Sequence, residues 1–227
     1  MSNRGGRRLR AAPGIEYGSY GQYCALAKAL DVIGGRWTLL IVRELLIRGA
    51  CRYTDLRNGL PGIATNMLAD PLRELEVAGI VHSELAPPPV ATTLFQLTER
   101  GKQLQPILLQ LGSWGAPYLA QSAKGDSFRS HWLVLPTRVH LRDNAPGDPP
   151  ISIELRTGDE PLTVATKDGV VQVTAGPAVN PDLVLTGTKQ VLLGLLLGKL
   201  DWVGACRAGL KSEGNPRVLK RVQAKGP

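Results

Sequence analysis

Between Tyr53 and Val81 the apolar positions keep a helical spacing on either side of one break, and the rest of the chain is arranged around that stretch. Tyr53, Leu56 and Leu60 recur at helical spacing until Leu60, Pro61 and Gly62 interrupt them. Leu68, Leu72 and Leu75 then place one buried stripe on a second helix, with Thr65, Ala69, Arg73 and Glu76 on the opposite face, and Gly79 closes it. Two short helices joined by a tight glycine-containing turn form a helix-turn-helix, whose second helix presents its outward face to a DNA major groove.

The flanking patterns extend this unit. Tyr23, Ala27, Leu30 and Ile33 predict a short amphipathic helix stopped by Gly34 and Gly35, and Trp37 to Ile47 a largely buried one ended near Gly49. Downstream, Val81 to Leu85 and Thr93 to Leu97 read as two strands around Pro87, Pro88 and Pro89, the hairpin that a winged helix requires. Thr98 is an N-cap for a helix from Glu99 to about Tyr118. Its Leu104, Leu108, Leu111 and Tyr118, with Ile107 and Trp114 beside them, make an apolar face wider than one small domain needs. That face serves either a dimer interface or packing on the wing domain; recognition helices that come in pairs favour the dimer.

Near Lys124 the pattern turns from helical to β. His131 to Leu141, Ile151 to Arg156, Leu162 to Thr166, Val170 to Ala175 and Leu183 to Leu185 predict strands separated by turn signals. Lys189 to Lys199 then has almost no polar face, so this helix fills a core or walls an apolar pocket. The expected class is α+β: an N-terminal winged helix-turn-helix followed by a C-terminal mixed α/β sheet domain.

Composition narrows the function. The 227 residues, 43% hydrophobic, can bury two modest cores. No signal-peptide pattern opens the chain and no run approaches the ~18 apolar residues of a membrane span, so a cytoplasmic protein without membrane contact is expected. Cys24, Cys51 and Cys206 show no CxxC spacing and read as thiols. His82, His131 and His140 lack metal spacing, and no serine, histidine and carboxylate grouping points to hydrolysis. No enzyme, metal or cofactor is expected. The net charge of +8 lies at the ends, in Arg4, Arg7, Arg8 and Arg10 and from Arg207 to Lys225, leaving the body near neutral. Phosphate attraction within the fold therefore falls to Arg36, Arg43, Arg48, Arg52 and Arg57, each of which reads equally as a solvated helix face.

Cys24 with Ala25 to Leu30, GGRWTLLIVREL at Gly34 to Leu45, YTDLRNGLPGI at Tyr53 to Ile63, LRELEVAGIV at Leu72 to Val81 and LTERG at Leu97 to Gly101 together resemble the HxlR-type winged helix-turn-helix regulators of bacteria. The resemblance implies a homodimer formed by the first and last helices, binding double-stranded operator DNA, often as a repressor. It places base reading near Thr65, Asn66 and Arg73, phosphate contacts at Arg52 and Arg57, and wing contacts at Thr92 and Thr93. It also gives Cys24 a possible oxidant-sensing role, against the ordinary role of a packing thiol. PDLVLTG at Pro181 to Gly187, GKLD at Gly198 to Asp201 and GLKSEG at Gly209 to Gly214 are similar to the sterol carrier protein-like fold. That similarity implies an apolar cavity for a small hydrophobic effector, walled by Leu192, Leu193, Leu196, Leu197 and Trp202. The expected divisions are a flexible basic arm over 1–19, the winged domain over 20–122, the sterol carrier-like domain over 123–217 and a basic tail over 218–227.

Three positions depart from the HxlR pattern. Pro71 lies within the recognition segment, so the helix is either kinked or starts late, with Asp70 and Pro71 as N-cap and first residue. Ala64 stands where a capping serine is usual, and the wing carries Pro88 and Pro89 in place of a proline and an arginine. Pro71 and the near-neutral body leave a second reading open, an apolar-metabolite or lipid carrier whose helix-turn-helix no longer binds DNA. An isomerase or transferase built on the second domain would rest on fold analogy alone.

Overall fold

The structure, a computed structural model, describes residues 19–87, 91–121 and 125–224. Most of the expected N-terminal arm, the wing residues Pro88 and Pro89 and the last three residues of the expected tail lie outside them. The chain divides into two compact units between Gln105 and Pro106.

The first unit runs α1 (Ala25–Ile33), α2 (Thr38–Arg48), β1 (Cys51–Arg52), α3 (Tyr53–Gly59), a 3-10 turn (Thr65–Met67), α4 (Ala69–Val77), β2 (Val81–Leu85), β3 (Thr93–Leu97) and α5 (Glu99–Lys102). The three strands form a sheet in the order β1-β3-β2, with Cys51 opposite Phe95 and Val81 opposite Leu97. Ile41, Val42, Leu45, Leu56, Leu60, Leu68, Leu72 and Leu75 close the core, which is the stripe that the helical spacing marks. Among them Glu44 of α2 is also fully buried, held by Arg43 at 2.8 Å and Arg48 at 3.6 Å. Gly59 of α3 packs on this carboxylate, where a side chain would collide with it.

Next come α6 (Gln105–Gly115), whose first residue closes the first unit, and a 3-10 segment (Ala116–Gln121). The single helix expected from Glu99 to Tyr118 is thus in three pieces. Pro106 explains the first break: a continuous helix would lose the bond to the Lys102 carbonyl and press the proline ring against it, at about 3 kcal/mol. As the second residue of α6, the same proline lacks an N–H that no helix uses. Pro117 stands in the same relation to the 3-10 segment that follows.

A 3-10 turn (Ser130–Leu133), α7 (Val134–His140) and β4 (Leu141–Asp143) come next, followed by β5 (Ser152–Arg156), β6 (Leu162–Lys167), β7 (Val170–Ala175), β8 (Leu183–Thr186), α8 (Lys189–Leu196), α9 (Trp202–Arg207), β9 (Lys211–Gly214), a 3-10 turn (Pro216–Arg221) and β10 (Val222–Ala224). The sheet order is β7-β6-β5-β8-β9, with β5 and β8 parallel and the other neighbours antiparallel. Ile153, Leu155, Leu162, Val164, Val173, Leu183 and Leu185 bury its inner face.

Two expectations change here. The segment His131 to Leu141 is helical rather than extended, and only Leu141–Asp143 pairs as a strand. Its β-branched residues mimic a strand, but Pro136 fits the first turn of α7, before any N–H of the helix is needed. The segment read as a basic tail from 218 also folds: β10 pairs antiparallel with β4, and Arg221 grips Asp143 through Nε at 2.8 Å.

Candidate nucleic-acid interface

Pro71 decides the shape of the recognition segment. It is the third residue of α4, and the first bond of that helix runs from the Leu72 N–H to the Leu68 carbonyl at 3.2 Å. The missing N–H is one the first turn leaves without a partner, so the ladder is intact. The helix starts late instead of kinking. Its N-cap is Leu68, without a side-chain cap, rather than Asp70. At the other end, Gly79 at φ 69° lets the Ile80 N–H reach the Leu75 carbonyl at 2.9 Å, with the Gly79 N–H on Glu76, a closure that requires the left-handed region.

The expected base readers therefore occupy two elements. Thr65 and Asn66 lie on the 3-10 turn (Thr65–Met67) and Arg73 on α4. Asn66 is exposed, and so is Met67 beside it, an apolar side chain that the sequence reading passed over. Arg73 is exposed but bonded to Asp70 at 2.9 Å. With Glu74 and Glu76, α4 carries more acid than base.

The five arginines expected to attract phosphate divide by partner. Arg43 and Arg48 are committed to buried Glu44, and Arg36 lies over the Trp37 ring at 5.8 Å. Arg52 and Arg57 are exposed on β1 and α3, with no charged side chain engaging either among the described residues. The Arg52 N–H is held by the Asp55 carboxylate at 3.0 Å, which fixes the start of α3. Thr93 is exposed and Thr92 half-buried at the foot of the wing, where the Ala86 N–H bonds the Thr92 carbonyl at 2.9 Å.

A model of the HxlR-like helix-turn-helix family matches residues 32–123. The uncharacterized HTH-type transcriptional regulator YybR of Bacillus subtilis (strain 168) is 40% identical over 114 residues, 49% of this chain and 86% of that protein. This chain belongs to the HxlR-like family. As an HxlR-type transcriptional regulator it also matches YdeP of the same organism, 38% identical over 46% of this chain and 82% of that protein. Among solved structures, the reduced form of the transcriptional regulator YodB from B. subtilis is 28% identical and covers 45% of this chain and all of its own length, with a TM-score of 0.39. The family match ends at residue 123, so most of the second unit of this HxlR-like regulator lies beyond it.

Outside the interface, Cys24 is exposed at the N-cap of α1. No capping hydrogen bond forms, yet the N–H groups of Ala27 and then Leu26 hold its pKa below the ordinary thiol value. Cys51 is buried, and burial pushes its pKa up to about 11. Leu192 and Leu196, expected in a pocket wall, are core residues of α8, while Leu193, Leu197 and Trp202 are half-buried. The two cavities described, of about 560 and 600 Å³, have none of the five in their linings. Among the described residues no cluster of His, Cys, Asp and Glu could hold a metal ion, and no helix is long and apolar enough to cross a membrane.

Proposed function

We propose that this HxlR-type regulator binds operator DNA as a homodimer and represses transcription by occupying the promoter, with the C-terminal unit holding a small effector. The observation that carries the reading is the intact recognition segment. Pro71 costs α4 no backbone bond, and the 3-10 turn that carries Thr65 and the exposed Asn66 precedes it. Base edges are read by Thr65, Asn66 and Arg73, with Met67 offering an apolar contact of the kind that suits a thymine methyl. Phosphates are held by Arg52 and Arg57, and the backbone beside the wing by Thr92 and Thr93.

The dimer rests on two unpartnered apolar surfaces. Tyr23 is exposed just before α1 and Leu26 and Leu30 along it, and Ile107, Leu111, Trp114 and Tyr118 along α6 and the turn after it, with no residue of α6 buried. Such faces are expected to be covered by a second copy, since operator half-sites come in symmetric pairs. The carrier reading, in which the helix-turn-helix has lost DNA, rests on the near-neutral body and on a broken recognition helix, and Pro71 does not break that helix.

A gel-shift assay on promoter fragments, with excess competitor DNA, tests the proposal. A retarded complex on one fragment that survives competitor, and weakens at least tenfold in Asn66→Ala, is expected. Equal retardation of every fragment would refute sequence-specific regulation.

A further inference from the structure

We propose that the cavity between α7, β4 and the outer edge of β7 binds a small organic carboxylate with an apolar body, gripped by Arg138 and Arg142. The inference rests on the effector-responsive reading above and gives the effector a place and a chemistry. The cavity measures about 560 Å³, within the range of roughly 300–1,000 Å³ usual for small-molecule sites.

β7 is the edge strand of the five-stranded sheet, so one side of its backbone has no neighbouring strand. Arg138 reaches it from α7: its Nη2 donates to the Val173 carbonyl at 2.8 Å. Among the described residues that is the guanidinium's one hydrogen bond, out of five N–H donors. No described carboxylate faces it, although burial costs the charge enough to pull its pKa down. A partly desolvated cation set against one neutral carbonyl is an uncompensated charge, and such groups are ordinarily paired.

The acid in the same wall is already spent. Asp143 is half-buried with its carboxylate covered, and takes two bonds from Arg221, through Nε at 2.8 Å and Nη2 at 3.0 Å, which hold its pKa below the usual carboxylate value. Arg142, exposed on β4, has no charged partner among the described residues. The wall thus presents two uncompensated cations beside the exposed Val170, with Leu141, Val171 and Val173 buried beneath it. A fully hydrated anion would leave the apolar part of that wall unfilled, and a neutral hydrocarbon would leave the guanidinium unpaired. A carboxylate on a short hydrocarbon satisfies both, because guanidinium and carboxylate form charge-assisted bonds in a shared plane.

Isothermal titration of the full-length protein in DNA-free buffer with octanoate, 1-octanol and inorganic phosphate tests this. Octanoate is expected to bind one per chain, 1-octanol at least tenfold more weakly, and phosphate neither to bind comparably nor to displace octanoate. Arg138→Gln is expected to weaken octanoate at least tenfold and Arg142→Gln about threefold. Arg142→Gln leaves the bond to Val173 untouched, so its effect stands even where Arg138→Gln impairs folding, which circular dichroism melts would reveal. No octanoate binding, equal binding of 1-octanol, displacement by phosphate at equal concentration, or affinity unchanged in Arg142→Gln would overturn the assignment. Because no DNA is present, a protein that holds octanoate but no operator refutes the regulator reading alone. One that holds its operator but no octanoate refutes the cavity alone.

Discussion

Individual side chains carry the chemistry that a solution experiment reaches first. Cys24 and Cys51 differ in both access and acidity: backbone N–H groups favour the Cys24 thiolate, while burial holds Cys51 protonated up to about pH 11. Alkylation with iodoacetamide at pH 7, followed by peptide mass mapping, should modify Cys24 in the native protein and leave Cys51 intact until denaturant is added. Comparable modification of Cys51 under native conditions would contradict its burial. Asp159 offers a second check. Although burial raises its pKa, bonds from the Ser130 N–H, its own N–H region, the Ser130 hydroxyl and Arg129 together bring it from 3.8 to about 2. A carboxyl depressed on folding stabilises the native state above its unfolded pKa and loses that contribution as pH falls through the folded one. Asp159→Asn should therefore cost about 1 kcal/mol near neutrality, discounted for a side chain 37% exposed, and progressively less from about pH 4 to pH 2 in urea melts.

Elements show where backbone chemistry overrides pattern. Pro71→Ala should shift stability by less than about 1 kcal/mol, because no ladder bond depends on residue 71, whereas Leu72→Ala should cost about 2–5 kcal/mol as a core truncation. Urea denaturation monitored by circular dichroism measures both; a large loss in Pro71→Ala would mean that the late start of α4 is itself held by the proline. The strands β2 and β3 were legible to the residue, since Val81 to Leu85 and Thr93 to Leu97 carry β-formers between turn residues. So was the Thr98 cap, whose hydroxyl accepts from the Gly101 N–H at 3.1 Å. The break at Pro106 was written in the sequence but lost under the strong apolar period around it. β9 was not legible, because Lys211 to Gly214 are all exposed and carry no alternation. For the interface, Arg52 and Arg57 could be proposed from type and place, but the commitment of Arg43 and Arg48 to Glu44 is a packing fact, invisible in a helix that reads as apolar.

At the scale of the whole molecule, operator binding requires two chains acting together. The exposed Trp114 and Tyr118 rings, 5.5 Å apart, give the α6 face its aromatic weight. Trp114→Glu should raise the dimer dissociation constant at least a hundredfold in sedimentation velocity, since it sets a charge in an apolar interface. A dimer as tight as the wild type would place the subunit contact elsewhere. The most direct measurement is titration of the operator fragment followed by fluorescence anisotropy across a salt series, for the wild type and Arg57→Ala. Two chains per duplex, a steep linear fall of log affinity with log salt, and a slope reduced by about 2 in the variant, one phosphate for each subunit, are the predicted results. One chain per duplex, or a slope unchanged by the loss of Arg57, would contradict the paired recognition segments on which the account stands.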